Sequence, residues 1–300
     1  MRAGLGAEDK YPGDSGRRRF VKGVVGGATL AGVGATGSVT INSVTSSSGA
    51  GGGATEMMAI ENTDGPAPRG MPQIPIEIDG GELKGLWPEV KEEKQGGVTI
   101  EIAETELGGK TYSTEWFQYC GLETYEAIKP GYEPDQGNYL LVGSNPTYDW
   151  QSEFAEDDRL TVDMFSDYES WGNGIGVSGL GKPASGIWRS LDTENNLLVN
   201  VIRSPVIETL AEDGKAEGAD GETYEVDDST QKWLKASAPK GFIAWLNKCT
   251  HFCCVPKYKG LDGSAKFDAA DEVYCPCHQS VYEPFSLVST LFTARPRPQE

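Results

Sequence analysis

A chain of 300 residues with 38% hydrophobic and 9% aromatic residues can fold around a packed core, which excludes a wholly disordered protein. Its 45 acidic residues outnumber its 26 basic residues and give a formal net charge of -19. This charge excludes a general nucleic-acid binder, because the phosphate groups would be repelled. Only two histidines accompany the six cysteines, which excludes a three-histidine zinc site.

The charge is distributed unevenly along the chain. The first 22 residues contain six basic and three acidic residues, so the remaining 278 residues carry a net charge of -22. Dissolved salt screens repulsion between like charges on a protein surface. The composition therefore favours a protein adapted to high salt over an ordinary solvated acidic surface.

The N-terminal segment has the pattern of an export signal. Gly16–Lys22 reads GRRRFVK, a twin-arginine pattern, and no charged residue follows until Glu56. The stretch Gly23–Ile41 is long enough to cross a bilayer as a helix, although it is rich in glycine and threonine. We predict that residues 1–44 are a twin-arginine signal, cleaved or kept as a membrane anchor. A disordered arm with a chance basic cluster is the alternative.

A linker is predicted between this segment and the folded part. Thr45–Thr55 is rich in glycine and serine, which is typical of a flexible coil. Gly65–Pro75 contains four prolines and is expected to run extended. Residues 45–75 are therefore predicted to tether a head formed by residues 76–300.

The head has the sequence pattern of a β protein. Its 39 glycines and 17 prolines, counted over the whole chain, favour many turns over long helices. One short helix is predicted at Pro205–Gly214, and long loops are predicted at 105–135 and in much of 165–235. Five β-prone runs predict strands at Val98–Ala103, Asn138–Gly143, Leu160–Phe165, Asn196–Val201 and Gly241–Asn247. An all-β sandwich or barrel-like fold is expected.

Five of the six cysteines and both histidines lie in two short clusters. Each cluster places a thiol and an imidazole within three positions, so one loop could present both to a metal. Twenty-three residues separate His251 from Cys275, enough for two loops to meet. The cluster residues are Cys249, His251, Cys253 and Cys254 in the first, and Cys275, Cys277 and His278 in the second.

Three kinds of site could use these two clusters. A zinc site fits poorly, because Cys-x-His with Cys-x2-His departs from the usual zinc-ligand spacing and leaves three cysteines over. A disulfide framework suits an exported chain but does not explain a histidine in each cluster. A [2Fe–2S] cluster with two cysteines on one iron and two histidines on the other uses both residue types and leaves cysteines to join the loops.

The motifs Cys-x-His-x2-Cys and Cys-x-Cys-His-x-Ser resemble those of the Rieske iron–sulfur proteins, specifically the quinol-oxidising respiratory type. The acidic composition of the chain is similar to that of haloarchaeal members. The resemblance covers about residues 241–298 and the N-terminal organisation. It implies an all-β, Rieske-type antiparallel β-sandwich head with a cluster-binding subdomain, preceded by the signal or anchor and the tether. Residues 105–235 would be an enlarged insertion.

The resemblance also implies a role for each site residue. Two hydroxyl groups would donate to sulfur atoms of the cluster and raise its potential into the upper part of the range of about −150 to +300 mV. The implied set is Cys249 and Cys275 on the inner iron, His251 and His278 on the outer iron, Cys254 with Cys277 in a disulfide, Ser280 towards a bridging sulfide and Tyr282 towards a cysteine sulfur.

The chain departs from the family pattern at several positions. Cys253 stands where the first loop usually has glycine. The proline-bearing loop that covers the cluster in the family is expected at Arg295–Pro298, with the last strands missing or rearranged. Cys120 pairs with Cys253 or both thiols are free, and the sequence leaves this open.

The implied function is electron transfer at the extracytoplasmic face of a membrane. Both histidines are used as cluster ligands, so a mononuclear iron site of the ring-hydroxylating oxygenases is excluded. The chain alone would be an electron carrier in a quinol–cytochrome c reductase type of complex. His251 or His278 would take a proton from quinol bound in a cytochrome b-type membrane subunit, and the head would swing on its tether to a cytochrome c or blue-copper acceptor. The alternative is a relay subunit of an exported molybdenum oxidoreductase of the arsenite oxidase or nitrate reductase type.

Overall fold

The fold is taken from a computed structural model that describes residues 52–95 and 98–297. These residues belong to one unit, Ser43–Glu300. The predicted export signal at 1–44 and the start of the predicted linker lie outside the described residues. Within the described part of the chain, no helix has the length and apolar character needed to span a membrane.

Most of the regular structure consists of β-strands. The sixteen strands of the described ranges are β1 (Gly53–Asp64), β2 (Met71–Ile74), β3 (Ile76–Asp79), β4 (Glu82–Gly85), β5 (Val90–Gln95), β6 (Val98–Leu107), β7 (Lys110–Ser113), β8 (Leu140–Val142), β9 (Lys182–Trp188), β10 (Leu197–Arg203), β11 (Lys215–Glu217), β12 (Thr223–Glu225), β13 (Phe242–Leu246), β14 (Lys257–Tyr258), β15 (Val273–Cys275) and β16 (Ser280–Ala294).

Nine of these strands form one curled sheet in the order β14-β15-β16-β1-β2-β13-β10-β9-β8. Its longest pairing joins β1 to β16 antiparallel, from Gly53 opposite Ala294 to Asp64 opposite Val281, with two register shifts. Three smaller sheets, β3-β4, β5-β6-β7 and β11-β12, pair antiparallel as well. The predicted all-β class is confirmed at this level.

Two short α-helices pack beside the sheet, α1 (Pro205–Asp213) and α2 (Asp228–Ser237). The side chain of Ser204 accepts a hydrogen bond from the backbone of Val206 at 3.1 Å, and Gly214 ends α1 with a φ of 74°. The predicted helix is thereby confirmed. The helix α2 was not predicted; its N-cap is Asp227, which accepts from the backbone of Thr230 at 2.7 Å.

Four of the five predicted strands are confirmed as β6, β8, β10 and β13. The prediction of a strand at Leu160–Phe165 is wrong, because Val162–Phe165 is a turn of 3-10 helix. Leu160 is fully buried and bonds through its backbone to Leu83 and Leu140. Its apolar neighbours therefore pack through a turn rather than along a strand.

The predicted linker at 45–75 is wrong for its described part. Residues 53–64 and 71–74 are the strands β1 and β2, in the middle of the nine-stranded sheet. The four residues Met57–Ile60 are at most 1% exposed, so they are part of the core. Part of the predicted insertion at 105–235 belongs to the same sheet, because β10, β9 and β8 continue it beyond β13.

Candidate metal centre

Two loops with the same backbone form the candidate site. One follows β13 and begins at Cys249; the other joins β15 to β16 and begins at Cys275. In each loop the residue four positions on donates its backbone N–H to the cysteine carbonyl, at 3.1 Å from Cys253 and 2.9 Å from Gln279. Both donors have left-handed backbones, with φ of 62° and 64°. The loops therefore present equivalent positions to the space between them.

Cys249 and Cys275 are the two reduced cysteines of the site, and both are buried. The Cys275 thiol donates a hydrogen bond to the Cys249 sulfur, which lowers the pKa of Cys249 to about 5 and raises the pKa of Cys275. Backbone N–H groups of His251 and Phe252 add to the lowering at Cys249. The two sulfurs thus lie side by side in an environment that stabilises a thiolate.

Tyr282 lies beneath the loops on β16 and is fully buried. Its hydroxyl donates to the sulfur of Cys249 at 3.2 Å and accepts the backbone N–H of Thr250 at 3.3 Å. Burial raises the pKa of Tyr282, and the hydrogen bond to Cys249 adds to this. The hydroxyl therefore keeps its proton and remains a donor to sulfur.

The two histidines lie next to each other near the surface. The ring centres of His251 and His278 are 4.8 Å apart and the rings are nearly perpendicular, at 86°. The Nδ1 atom of His251 is buried without a hydrogen-bond partner, which is costly unless a ligand takes it up. His278 is exposed, and Phe252, which is 65% exposed, packs against both rings.

A disulfide joins Cys254 of the first loop to Cys277 of the second, the pair that the family resemblance implied. The sulfurs of Cys254, Cys275 and Cys277 all lie within 4.8 Å of one another. Two of them are consumed in the disulfide, so only Cys275 of this group can bind a metal as a thiolate. The backbone N–H of Cys249 also donates to the carbonyl of Cys254, at 2.7 Å.

A second disulfide joins Cys120 to Cys253, with a Cα–Cα distance of 5.5 Å. This answers the question that the sequence left open. Cys120 belongs to a segment of short 3-10 turns between Thr114 and Ile128, far away in sequence. The cysteine at the expected glycine position therefore ties the first loop to this segment.

A proline-bearing loop, Gly65–Gly70 (GPAPRG), contacts both cluster loops. The backbone N–H of Ala67 donates to the hydroxyl oxygen of Ser280 at 3.2 Å, and the hydroxyl of Thr250 donates to the carbonyl of Arg69 at 2.6 Å. Gly65 has a φ of 82° and lies so close to the second loop that a side-chain carbon would collide with its backbone. This loop was predicted to be linker.

Arg295–Pro298 was expected to be the proline-bearing loop at the site. Arg295 does lie beside the first cluster loop, while Pro298 is outside the described residues. The contacts to both loops come instead from GPAPRG, near the other end of the described chain. The cause is the pairing of β1 with β16, which brings the residues after β1 to the loop before β16.

The donor set has the composition of a metal site. Two thiolates and two imidazoles suit either one tetrahedral Zn²⁺ or a [2Fe–2S] cluster with unequal ends. The structure assembles the predicted residues Cys249, Cys275, His251 and His278 on two adjoining loops. It places Tyr282 on a sulfur, and Ser280, fully buried, against Ala67.

Comparison with known proteins gave no relative: no family model, no curated protein and no solved structure matches this chain. The site residues that the sequence analysis missed are Arg69, Thr250 and Tyr119. Their only signal was local composition, a Gly-Pro-Ala-Pro run and a threonine between Cys249 and His251, which does not reveal a partner distant in sequence.

Proposed function

We propose that this chain is an electron-transfer subunit carrying one high-potential [2Fe–2S] cluster of the Rieske type. Cys249 and Cys275 would hold one iron and His251 and His278 the other. The observation that carries the proposal is the pair of equivalent loops, which bring two reduced cysteines and two neighbouring histidines together. Such a cluster supplies reversible one-electron chemistry when bound.

The hydrogen bonds to sulfur favour this cluster over a structural zinc ion. Tyr282 donates to Cys249, and backbone N–H groups from both loops are directed at the two cysteine sulfurs. Donors at sulfur stabilise added negative charge, which a redox centre gains on reduction and a zinc site does not. The disulfide between Cys254 and Cys277 then holds the loops at a fixed separation.

The histidines provide the contact with quinol. Because Nδ1 of His251 is buried, it is the nitrogen available to a metal, and the opposite nitrogen, Nε2, is free for a proton. His278 is exposed. Its Nε2 atom can likewise exchange a proton with the hydroxyl group of a bound quinol. The chain would accept an electron together with a proton from quinol and pass the electron to a cytochrome c or a blue-copper protein.

Two exposed apolar side chains lie close to these histidines. Phe252 is 65% exposed and Val255 is 41% exposed, both on or next to the first loop. An exposed aromatic ring beside a ligand histidine suits docking into the apolar quinol pocket of a cytochrome b-type membrane subunit. The head would work on the extracytoplasmic face after twin-arginine export, and the chain would be held at the membrane.

Metal analysis of the purified full-length chain tests the cofactor. We expect two iron atoms and two acid-labile sulfides per chain, and loss of the visible absorption in Cys249→Ser. The matched variant Cys120→Ser keeps all four ligands and should keep its iron. Zinc without sulfide in the wild-type protein would show that the proposal is wrong.

Quinol oxidation is tested separately in membranes. An inhibitor bound at the quinol site should shift the electron paramagnetic resonance spectrum of the cluster, because it contacts a ligand histidine. The inhibitor would leave the spectrum unchanged in a relay subunit of a molybdenum oxidoreductase, where quinol does not touch the histidines. This second result would keep the cluster and reject the quinol assignment.

A further inference from the structure

A cavity of about 330 Å³ opens beside the first cluster loop. His251 forms one wall, and Tyr119 with the Cys120–Cys253 disulfide forms another. Two arginines, Arg69 and Arg295, complete the lining. Among the described residues, none of those that line the cavity is acidic, although the chain as a whole has a net charge of -19.

Arg69 is held in place without a charge partner. Its guanidinium lies 5.2 Å from the ring centre of Tyr119 and 4.6 Å from that of Phe292. No described carboxylate is within salt-bridge distance of it, and its Nε atom is buried without a hydrogen-bond acceptor. Burial lowers the pKa of Arg69, and the nearby Arg295 also lowers it. Arg69 is half-buried. A guanidinium in such a position, with an unused donor and no ion-pair partner, suits an anionic ligand.

Arg295 adds the second positive charge. Its backbone N–H donates to the carbonyl of Gln118 at 2.9 Å, which ties the residue to the segment of 3-10 turns that carries Tyr119. Its side chain is 64% exposed and meets Glu123, whose side chain is 11% exposed, through one contact at 3.4 Å. Most of its donors are therefore available to a ligand in the cavity.

We infer that this cavity is a binding site for a dianionic oxyanion such as sulfate or hydrogen phosphate. Two guanidinium groups match two negative charges, and their forked donors match oxygen atoms held at tetrahedral angles. The segment between Thr114 and Ile128 then has a function, because it supplies Tyr119 and Cys120 to the wall. The second disulfide fixes that wall against the loop that carries His251.

The effect on electron transfer rests on the proposed function. An anion in the cavity would lie next to His251, one of the two histidines that would hold the outer iron. Added negative charge there opposes the arrival of an electron and lowers the reduction potential of the cluster. The oxyanion concentration outside the cell would then adjust the potential of the carrier.

Calorimetric titration of the full-length chain with sodium sulfate, sodium phosphate, sodium acetate and sodium chloride tests the site at constant ionic strength. We expect one saturable site for sulfate or phosphate, and weaker or no binding of acetate and chloride. Arg69→Gln should weaken sulfate binding roughly tenfold or more, because it removes charge-assisted hydrogen bonds. Arg295→Gln, on an exposed side chain, should weaken binding without affecting folding.

Arg203→Gln is the matched control. Arg203 also stacks on aromatic rings, 4.0 Å from the ring centre of Tyr168, and does not line the cavity. It changes the net charge equally and should leave sulfate binding unchanged. Equal weakening in Arg203→Gln and Arg69→Gln, acetate binding as tight as sulfate, or no saturable binding would each overturn the inference.

The redox consequence has its own measurement. In wild-type protein the potential of the cluster should be lower in saturating sulfate than in chloride, and the difference should vanish in Arg69→Gln. The calorimetric result does not need a cluster. Sulfate binding by a chain that contains no iron would therefore support the anion site and reject the proposed function. A chain that contains iron but does not bind sulfate would reject the anion site and leave the proposed function standing.

Discussion

At the scale of single residues, Tyr282 makes the hydrogen bond with the most direct consequence for the proposed cluster. Its hydroxyl donates to the sulfur of Cys249 at 3.2 Å, and its ring is fully buried, so water does not compete for the bond. Reduction adds negative charge to the centre and strengthens a bond of this kind. Removal of the hydroxyl should therefore change the reduction potential of the centre more than it changes the assembly of the site.

Tyr282→Phe is expected to lower the potential of the cluster. If the bond is stronger by about 1 kcal/mol in the reduced state, the decrease is roughly 40 mV for a one-electron couple. A redox titration followed by electron paramagnetic resonance, in chloride buffer, measures it. Iron content should stay at the wild-type level, because all four ligands remain.

Tyr119→Phe is the matched control for this substitution. Tyr119 is also buried near Cys249, but its hydroxyl donates to the carbonyl of Lys248 at 2.9 Å and not to sulfur. Its loss should cost about 1 kcal/mol of unfolding free energy and leave the potential unchanged. Equal decreases in potential for both variants would mean that the bond to sulfur has no special effect.

At the scale of structural elements, the loops that begin at Cys249 and Cys275 have the same backbone conformation but are restrained differently. Gln279 adopts its left-handed conformation in an exposed turn, whereas Cys253 is fixed by a disulfide to Cys120. A left-handed backbone costs roughly 1–2 kcal/mol for a residue other than glycine. The disulfide closes a sequence separation of 133 residues, and restricting so long a loop in the unfolded chain more than offsets that cost.

Two double variants separate these contributions. Cys120→Ser combined with Cys253→Ser removes the disulfide and keeps the backbone strain, while Cys120→Ser combined with Cys253→Gly removes both. We expect the glycine variant to be the more stable of the two by about 1 kcal/mol in urea unfolding. Both should be less stable than the wild type by roughly 2–4 kcal/mol.

Iron content is the control in this experiment, and both variants should retain it because Cys249, Cys275 and both histidines are unchanged. Equal stability of the two variants would show that the φ of Cys253 relaxes once the disulfide is gone. Loss of iron from both would mean that the second disulfide is needed to shape the ligand loop itself.

The elements differ in how far the sequence predicts them. The ligand loops were predictable because thiols and imidazoles lie within a few positions of one another in each motif. The partner of Cys120 and the contacts of GPAPRG were not, because they join segments that are 133 to more than 180 residues apart. The strand predicted at Leu160–Phe165 is wrong for a local reason, because its apolar residues also suit a buried turn.

At the scale of the whole molecule, the early part of the described chain joins the two halves of the nine-stranded sheet. The strand β1 spans 12 residues and pairs along β16, and β2 joins it to β13. Glycine, serine and proline around β1 are typical of a linker, and this composition concealed the buried run Met57–Ile60. Two stretches of the predicted linker, 53–64 and 71–74, are therefore strands of the sheet, and its residues 45–51 lie outside the described residues.

Two truncated chains test this architecture. A chain that begins at Gly52 keeps β1, β2 and GPAPRG, and we expect it to unfold cooperatively in urea and to retain its iron. A chain that begins at Ile76 loses five buried apolar side chains, each stabilising by about 2 kcal/mol. The five are Met57, Met58, Ile60, Met71 and Ile74. Their sum, about 10 kcal/mol, is comparable to the stability of a typical domain, so this chain should not fold. Circular dichroism and iron content measure both outcomes. Cooperative unfolding of the chain that begins at Ile76 would show that β1 and β2 are dispensable and that residues 53–75 serve as a linker after all.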